Sequence, residues 1–148
     1  MNALELLKQD HQKVKGLFQE ISKNSDRSKQ KVLFDKIDTE LEIHTHIEET
    51  VFYPAIEEQE QLKDMVAEAL EEHHQAKELL EQLEKLRADD HDFGSKLQQL
   101  MEAVEHHIEE EEEGEMFPQI RELFDEDELE QLGEDLESAK GTAHRKAG

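Results

Sequence analysis

The chain has 148 residues, with 40 Asp or Glu against 17 Lys or Arg and a formal net charge of −23. So acidic a surface disfavours nucleic acid and anionic membranes, which are met by basic patches, and it draws cations nonspecifically. The absence of cysteine excludes disulfides, thiolate zinc sites, iron–sulfur clusters and thiol nucleophiles.

The length suits one domain with a modest core. An apolar fraction of 34% is low, but the apolar residues recur at helical spacing, as in long helices with a narrow buried stripe rather than in a disordered chain. The first helix is predicted from about Ala3 to Lys23, with Leu4, Leu7, His11, Val14, Phe18 and Ile21 on one stripe. A polar turn, Asn24 to Ser28, follows. The second helix is expected from about Lys29 past Val51, with Leu33, Ile37, Leu41, His44, Glu48 and Val51 in register. Pro54 should kink it or restart its last turns.

The third helix is expected from about Leu62 to Arg87, with Val66, Ala69, His73, Ala76, Leu80 and Leu83 inward. Turn residues from Ala88 to Gly94 mark a loop. The fourth helix starts near Ser95, carries Leu97, Leu100, Val104, His107 and Glu111 inward, and meets Pro118. A shorter helix, roughly Glu126 to Lys140, should precede a frayed tail. No strand pattern is present. The expected fold is all-α: an up-down-up-down antiparallel four-helix bundle over residues 1–124, with a short C-terminal helix and tail, 125–148, packed on the same domain.

One pattern occurs twice. His11, His44-Thr-His-Ile-Glu48 and Phe52-Tyr53-Pro54 are matched by His73, His107-Ile-Glu-Glu-Glu111 and Met116-Phe117-Pro118. The offsets are 62 for the first histidines, 63 for the second and 64 for the prolines. Asp10 maps to Glu72, Val14 to Ala76, Lys15 to Lys77 and Phe18 to Leu80 at the first offset. This reads as an internal duplication of a helix pair. Residues i and i+4 share a helical face, so His44 with Glu48, and His107 with Glu111, can grip a common centre. A lone His on an apolar face is most often a satisfied core residue. Four, one per helix and twice accompanied by glutamate, would be costly to bury without a compensating positive charge. Four imidazoles and two carboxylates exceed the needs of one tetrahedral zinc and suit two octahedral ions, with iron or manganese favoured.

Most of the run Glu109 to Glu113 must be solvated. The stripe of Leu97, Leu100 and Val104 selects Glu111, whereas the proline offset selects Glu112. An extra residue absorbed as a π-bulge would reconcile the two. By the same register His46, His91, His106 and His144 face solvent, and His74 is an outside candidate beside His73. Tyr53 reads as rim packing, and Met65, Met101 and Met116 read as core.

At these residues the chain resembles the hemerythrin-like family, the HHE cation-binding domain, from Asp10-His11 to Phe117-Pro118. The resemblance implies two non-haem iron ions with oxo or hydroxo and carboxylate bridges. It puts His11, His44, Glu48, His73, His107 and Glu111 in the ligand shell, with both glutamates bridging. Oxygen carriers of the family place a second histidine four residues after the third-helix ligand, where this chain has Lys77. They also have Asp at five residues where this chain has Glu at four. Reversible oxygen carriage is therefore not expected, and one iron should be more open.

The expected function is binding or sensing of oxygen, nitric oxide or iron. The alternatives are a redox enzyme decomposing peroxide, or a helical interaction bundle with adventitious metal. The partner would be a small diatomic ligand or peroxide. An amphipathic N-terminus and the lack of a spanning apolar run point to a cytoplasmic protein.

Overall fold

The computed structural model describes residues 1–147, all helix and connecting turns, with no strand among them. Helix α1 spans Ala3–Lys23, and α2 spans Arg27–Ile47 and runs on as a π-helical segment, Glu48–Phe52, into the short α3, Tyr53–Ile56. A 3₁₀ turn, Glu60–Leu62, leads into α4, Lys63–Glu84. Helix α5, Phe93–His106, continues as a second π segment, His107–Met116, into α6, Phe117–Leu123. Helix α7 covers Glu126–Ala147.

The local causes are visible. Asn2 and Glu5 form a reciprocal capping box on α1, with the Glu5 N–H donating to Asn2 Oδ1 at 2.9 Å. Asp26 caps α2 by accepting from the Ser28 and Lys29 amides, so that helix starts two residues before the expected Lys29. Pro54 and Pro118 each sit in the first turn of a restarted helix, where a missing N–H costs nothing.

The terminal helix differs from expectation. At 22 residues α7 matches α4 in length and continues past Lys140 to Ala147 instead of fraying. Its Leu129, Leu132 and Leu136 bury against Ala3, Leu4 and Leu7 of α1, and the Thr142 hydroxyl donates back to the Ser138 carbonyl. Each such leucine contributes about 1.5–3 kcal/mol when fully buried, enough to offset the roughly 1 kcal/mol that Gly141 costs inside a helix. Gly148 lies outside the described residues.

The apolar residues separate into two layers. One gathers Val14, Phe18, Phe34, Ile37, Leu80, Leu83, Leu100 and Val104. The other gathers Leu4, Leu7, Ile47, Phe52, Ile56, Val66, Phe117, Ile120 and the α7 leucines. Along α1, α2, α4 and the two π segments the buried polar residues fall between the two: Asp10 and His11, His44 and Glu48, His73, His107 and Glu112. The histidines and glutamates are thus a polar layer held between apolar ones. Among the described residues no helix is long and apolar enough to cross a membrane.

Candidate metal centre

His11, His44, Glu48 and Glu112 bring ligand atoms within 4.8 Å of one another, and so do Glu48, His73, His107 and Glu112. The two groups share both glutamates. His11 Nε2 stands 3.0 Å from Glu112 Oε1, and His107 Nε2 stands 3.0 Å from Glu112 Oε2. His44 and His73 each place Nε2 3.2 Å from Glu48 Oε1. Two histidines for each half, with two carboxylates reaching into both groups, are a nitrogen and oxygen donor set that could hold metal.

These close approaches are not hydrogen bonds for most of the atoms involved. Nε2 of His11 and His107, both oxygens of Glu48 and Oε1 of Glu112 are buried with no hydrogen-bonding partner. Lone pairs aimed at one another in a dry layer are costly unless a cation lies between them. The residues present therefore fit metal.

The second nitrogen of every ring is held by a carboxylate. Asp10 takes His44 Nδ1 at 3.1 Å, Glu49 takes His73 Nδ1 at 2.8 Å, Glu72 takes His107 Nδ1 at 2.5 Å and Glu113 takes His11 Nδ1 at 2.5 Å. Such a carboxylate fixes ring orientation and tautomer, leaving Nε2 free for a metal. The links run head to tail around the molecule. Helix α1 holds the ring on α2, and the α2 extension holds the ring on α4. Helix α4 holds the ring on the α5 extension, which holds the ring on α1. Asp10 and Glu72 are equivalent at the 62 offset, and Glu49 and Glu113 at 64.

The electrostatics follow from this packing. Burial alone would push the imidazoles down, but Glu48 and Asp10 override it at His44, which is raised to about 10. Glu112 and Glu72 do the same at His107, raised to about 11. His11 and His73 are also raised against burial, by Glu112 and Glu113 and by Glu48 and Glu49. Burial would raise Glu112, but His107 and His11 hold it well below the usual carboxylate range. Without metal, protons take the place of the cations.

Five of the six expected residues, His11, His44, Glu48, His73 and His107, come together. Glu111 does not join them. Its carboxyl is 23% exposed, 3.8 Å from the outer Nδ1 of His107, while Glu112 is fully buried at the centre. The cause is the π segment. Five residues rather than four bring a side chain back to the face of His107, and the Phe117 N–H reaches back to the Glu112 carbonyl. The proline offset carried this signal, and the α-helical register concealed it.

Tyr53 is a second correction. It is buried, not at the rim, and its hydroxyl donates to Glu112 Oε2 at 2.9 Å while lying 3.3 Å from His73 Nε2. His46, His91, His106 and His144 are exposed as expected. His74 is also exposed, paired with Glu78 at 3.0 Å. Met101 and Met116 are core, and Met65 packs against it.

A cavity of about 310 Å³ opens beside the centre, lined by His11, His44, Glu48, His73 and His107 with apolar walls that include Val14, Leu41 and Leu80. Lys77, one turn beyond His73, borders it and is exposed.

The family model for the hemerythrin HHE cation binding domain matches residues 2–120. The chain belongs to that family. A crystal structure of a hemerythrin HHE cation binding domain-containing protein from Mycobacterium kansasii superposes with a TM-score of 0.87 at 30% identity, covering 99% of this chain and 90% of that one. An uncharacterized hemerythrin-like protein of Schizosaccharomyces pombe is 32% identical over 106 residues, 70% of this chain and 52% of its own length. A Nostoc protein named DNA nickase is 29% identical over all 148 residues, which make up 42% of it. The chain thus spans about half or less of these two curated relatives. Family membership and the buried histidine–glutamate groups make this hemerythrin-like chain a metal-binding protein, with iron as the metal the family implies.

Proposed function

We propose that this hemerythrin-like chain holds two non-haem iron ions and binds or senses a small molecule there: oxygen, nitric oxide or iron itself. The carrying observation is the set of buried Nε2 and carboxylate atoms converging from four helices, with those of His11, His107, Glu48 and Glu112 left without a hydrogen-bonding partner. His11 and His44 would hold one ion, His73 and His107 the other, and Glu48 and Glu112 would bridge them. Tyr53 is placed to support Glu112 or to add its hydroxyl on the His73 side. Bound iron would supply exchangeable coordination and redox change. The protein's part is to orient the rings, exclude water with the two apolar layers, and leave a cavity for the ligand.

This reading carries a structural one with it. Helices α1, α2, α4 and α5 with their extensions form a duplicated up-down-up-down bundle over residues 1–124. Helix α7, Glu126–Ala147, is an appended helix of the same domain. The chain acts in the cytoplasm. A net charge of −23 opposes binding to a polyanion such as DNA.

Peroxide decomposition is the second reading, favoured by Lys77. That lysine stands where a further histidine would close the His73 side, and a cavity adjoins it. Metal analysis with an optical spectrum, on unchelated protein from iron-replete cells, tests the first reading. Two irons per chain with near-ultraviolet charge-transfer bands are expected. Well under one metal per chain, or zinc alone, overturns it. Stable adducts with nitric oxide, without peroxide turnover, separate the readings. Lys77→His should suppress ligand binding on the His73 side, and unchanged reactivity would show that residue 77 does not border the open position.

A further inference from the structure

Among the carboxylates that hold the four rings, Asp10 stands apart. Its side chain is 6% exposed, against 43% for Glu49, 22% for Glu72 and 24% for Glu113. A buried carboxylate needs a countercharge, and the imidazole it orients is committed to the centre. Lys140 on α7 supplies one. Its ammonium pairs with Asp10 Oδ1 while Asp10 Oδ2 takes His44 Nδ1, so both oxygens are fixed. The equivalent residue in the second half, Glu72, is met by the Glu111 carboxyl instead.

The reach of Lys140 is set by how α7 docks. Leu132 and Leu136 bury on the stripe that Lys140 extends by one further turn. Gly133 brings α7 so close to the start of α1 that an added Cβ would stand 2.8 Å from the Asn2 carbonyl carbon and 2.9 Å from the Ala3 nitrogen. That contact fixes α7 along α1 and sets Lys140 over Asp10. Helix α7, with Leu132, Gly133, Leu136 and Lys140, lies outside residues 2–120 matched by the family model.

We propose that Lys140 is a positioning residue for the metal centre, acting from α7 through Asp10 to orient His44 toward the ion it shares with His11. The proposal rests on the two-ion reading of the site. Loss of an outer partner of this kind typically weakens metal binding about 10–100-fold. The loss should fall on one ion of the pair, because the other three rings keep their carboxylates.

The test is anaerobic titration with ferrous iron of the full chain and of Lys140→Met, Lys140→Arg, Asp10→Asn and the Met/Asn double variant. Lys140→Met should weaken one of two binding steps about 10–100-fold, and Lys140→Arg should restore most of it. The double variant should be no worse than Asp10→Asn alone, since both break one link. In metal-free protein, the ring ¹⁵N signals of His44 should shift in Lys140→Met while those of His107 stay. That readout stands even if the wild type binds no iron, in which case the two-ion reading fails and the positioning does not. Wild-type affinity for both ions in Lys140→Met, additive losses in the double variant, or an unmoved His44 signal would each overturn the proposal. If Lys140→Met fails to fold, Lys140→Arg and Asp10→Asn decide it by the same signals.

Discussion

Glu111 and Glu112 adjoin in the sequence, yet one edges into solvent and the other is sealed between two histidines. Glu112→Ala removes one of the two carboxylates common to both groups of donors and should cut bound iron from two per chain to one or fewer. Glu111→Ala should leave iron content within about 20% of wild type, its loss from an outer position being among the small surface effects. Iron assay of the two purified variants checks this, and the reverse pattern would return the site to α-helical register. The four histidines and Glu48 were legible because one position repeats on every helix. Glu112 was only half legible, since the proline offset pointed to it while the local stripe pointed to its neighbour. Tyr53 was not legible at all. An aromatic ring at helical spacing reads as packing, and nothing in the sequence shows where a phenol hydroxyl points.

The two π segments explain that ambiguity at the level of the element. The first covers 5 residues and begins only at Glu48, whereas the second covers 10 and begins at His107 itself. The second therefore holds one residue more than the first between histidine and glutamate. Deleting Glu110 should make the halves equivalent, with a glutamate four residues after His107, and iron content should stay near two per chain. Abolished binding would show that the π segment itself is required. Gly133→Ala tests the other close approach. A methyl forced against residues 1–3 should cost about 1–3 kcal/mol, as overpacking does, lowering the melting temperature by several degrees. A thermal melt at wild-type temperature would show that α1 and α7 can slide apart without loss. The long helices were readable from their 3.6-residue stripes, but the start of α2 was set two residues late because Asp26 passed for part of a polar turn and not for a cap. The full length of α7 was not, because Gly141 and a polar tail resemble a frayed end when the docked leucines upstream are out of view.

For the molecule as a whole, protons and metal compete for one layer. In the metal-free protein His44 and His107 are raised from 6.5 to about 10 and about 11. A group raised on folding stabilises fully below its unfolded value and loses that contribution as pH climbs through its folded one. The metal-free melting temperature should therefore fall between about pH 7 and pH 11. Iron binding near pH 7 should release protons and tighten as pH rises, while acid should strip the metal. Calorimetry in two buffers of different ionisation enthalpy reads the released protons, and equal heats in both would contradict the competition. The four carboxylate links around this layer have a mechanical consequence. Each of the four helical arms grips the next, so they close a hoop rather than a row, and no arm is an end that can peel away first. Pulled apart along its length, such a protein should resist until one link parts, then give way at all four in a single step.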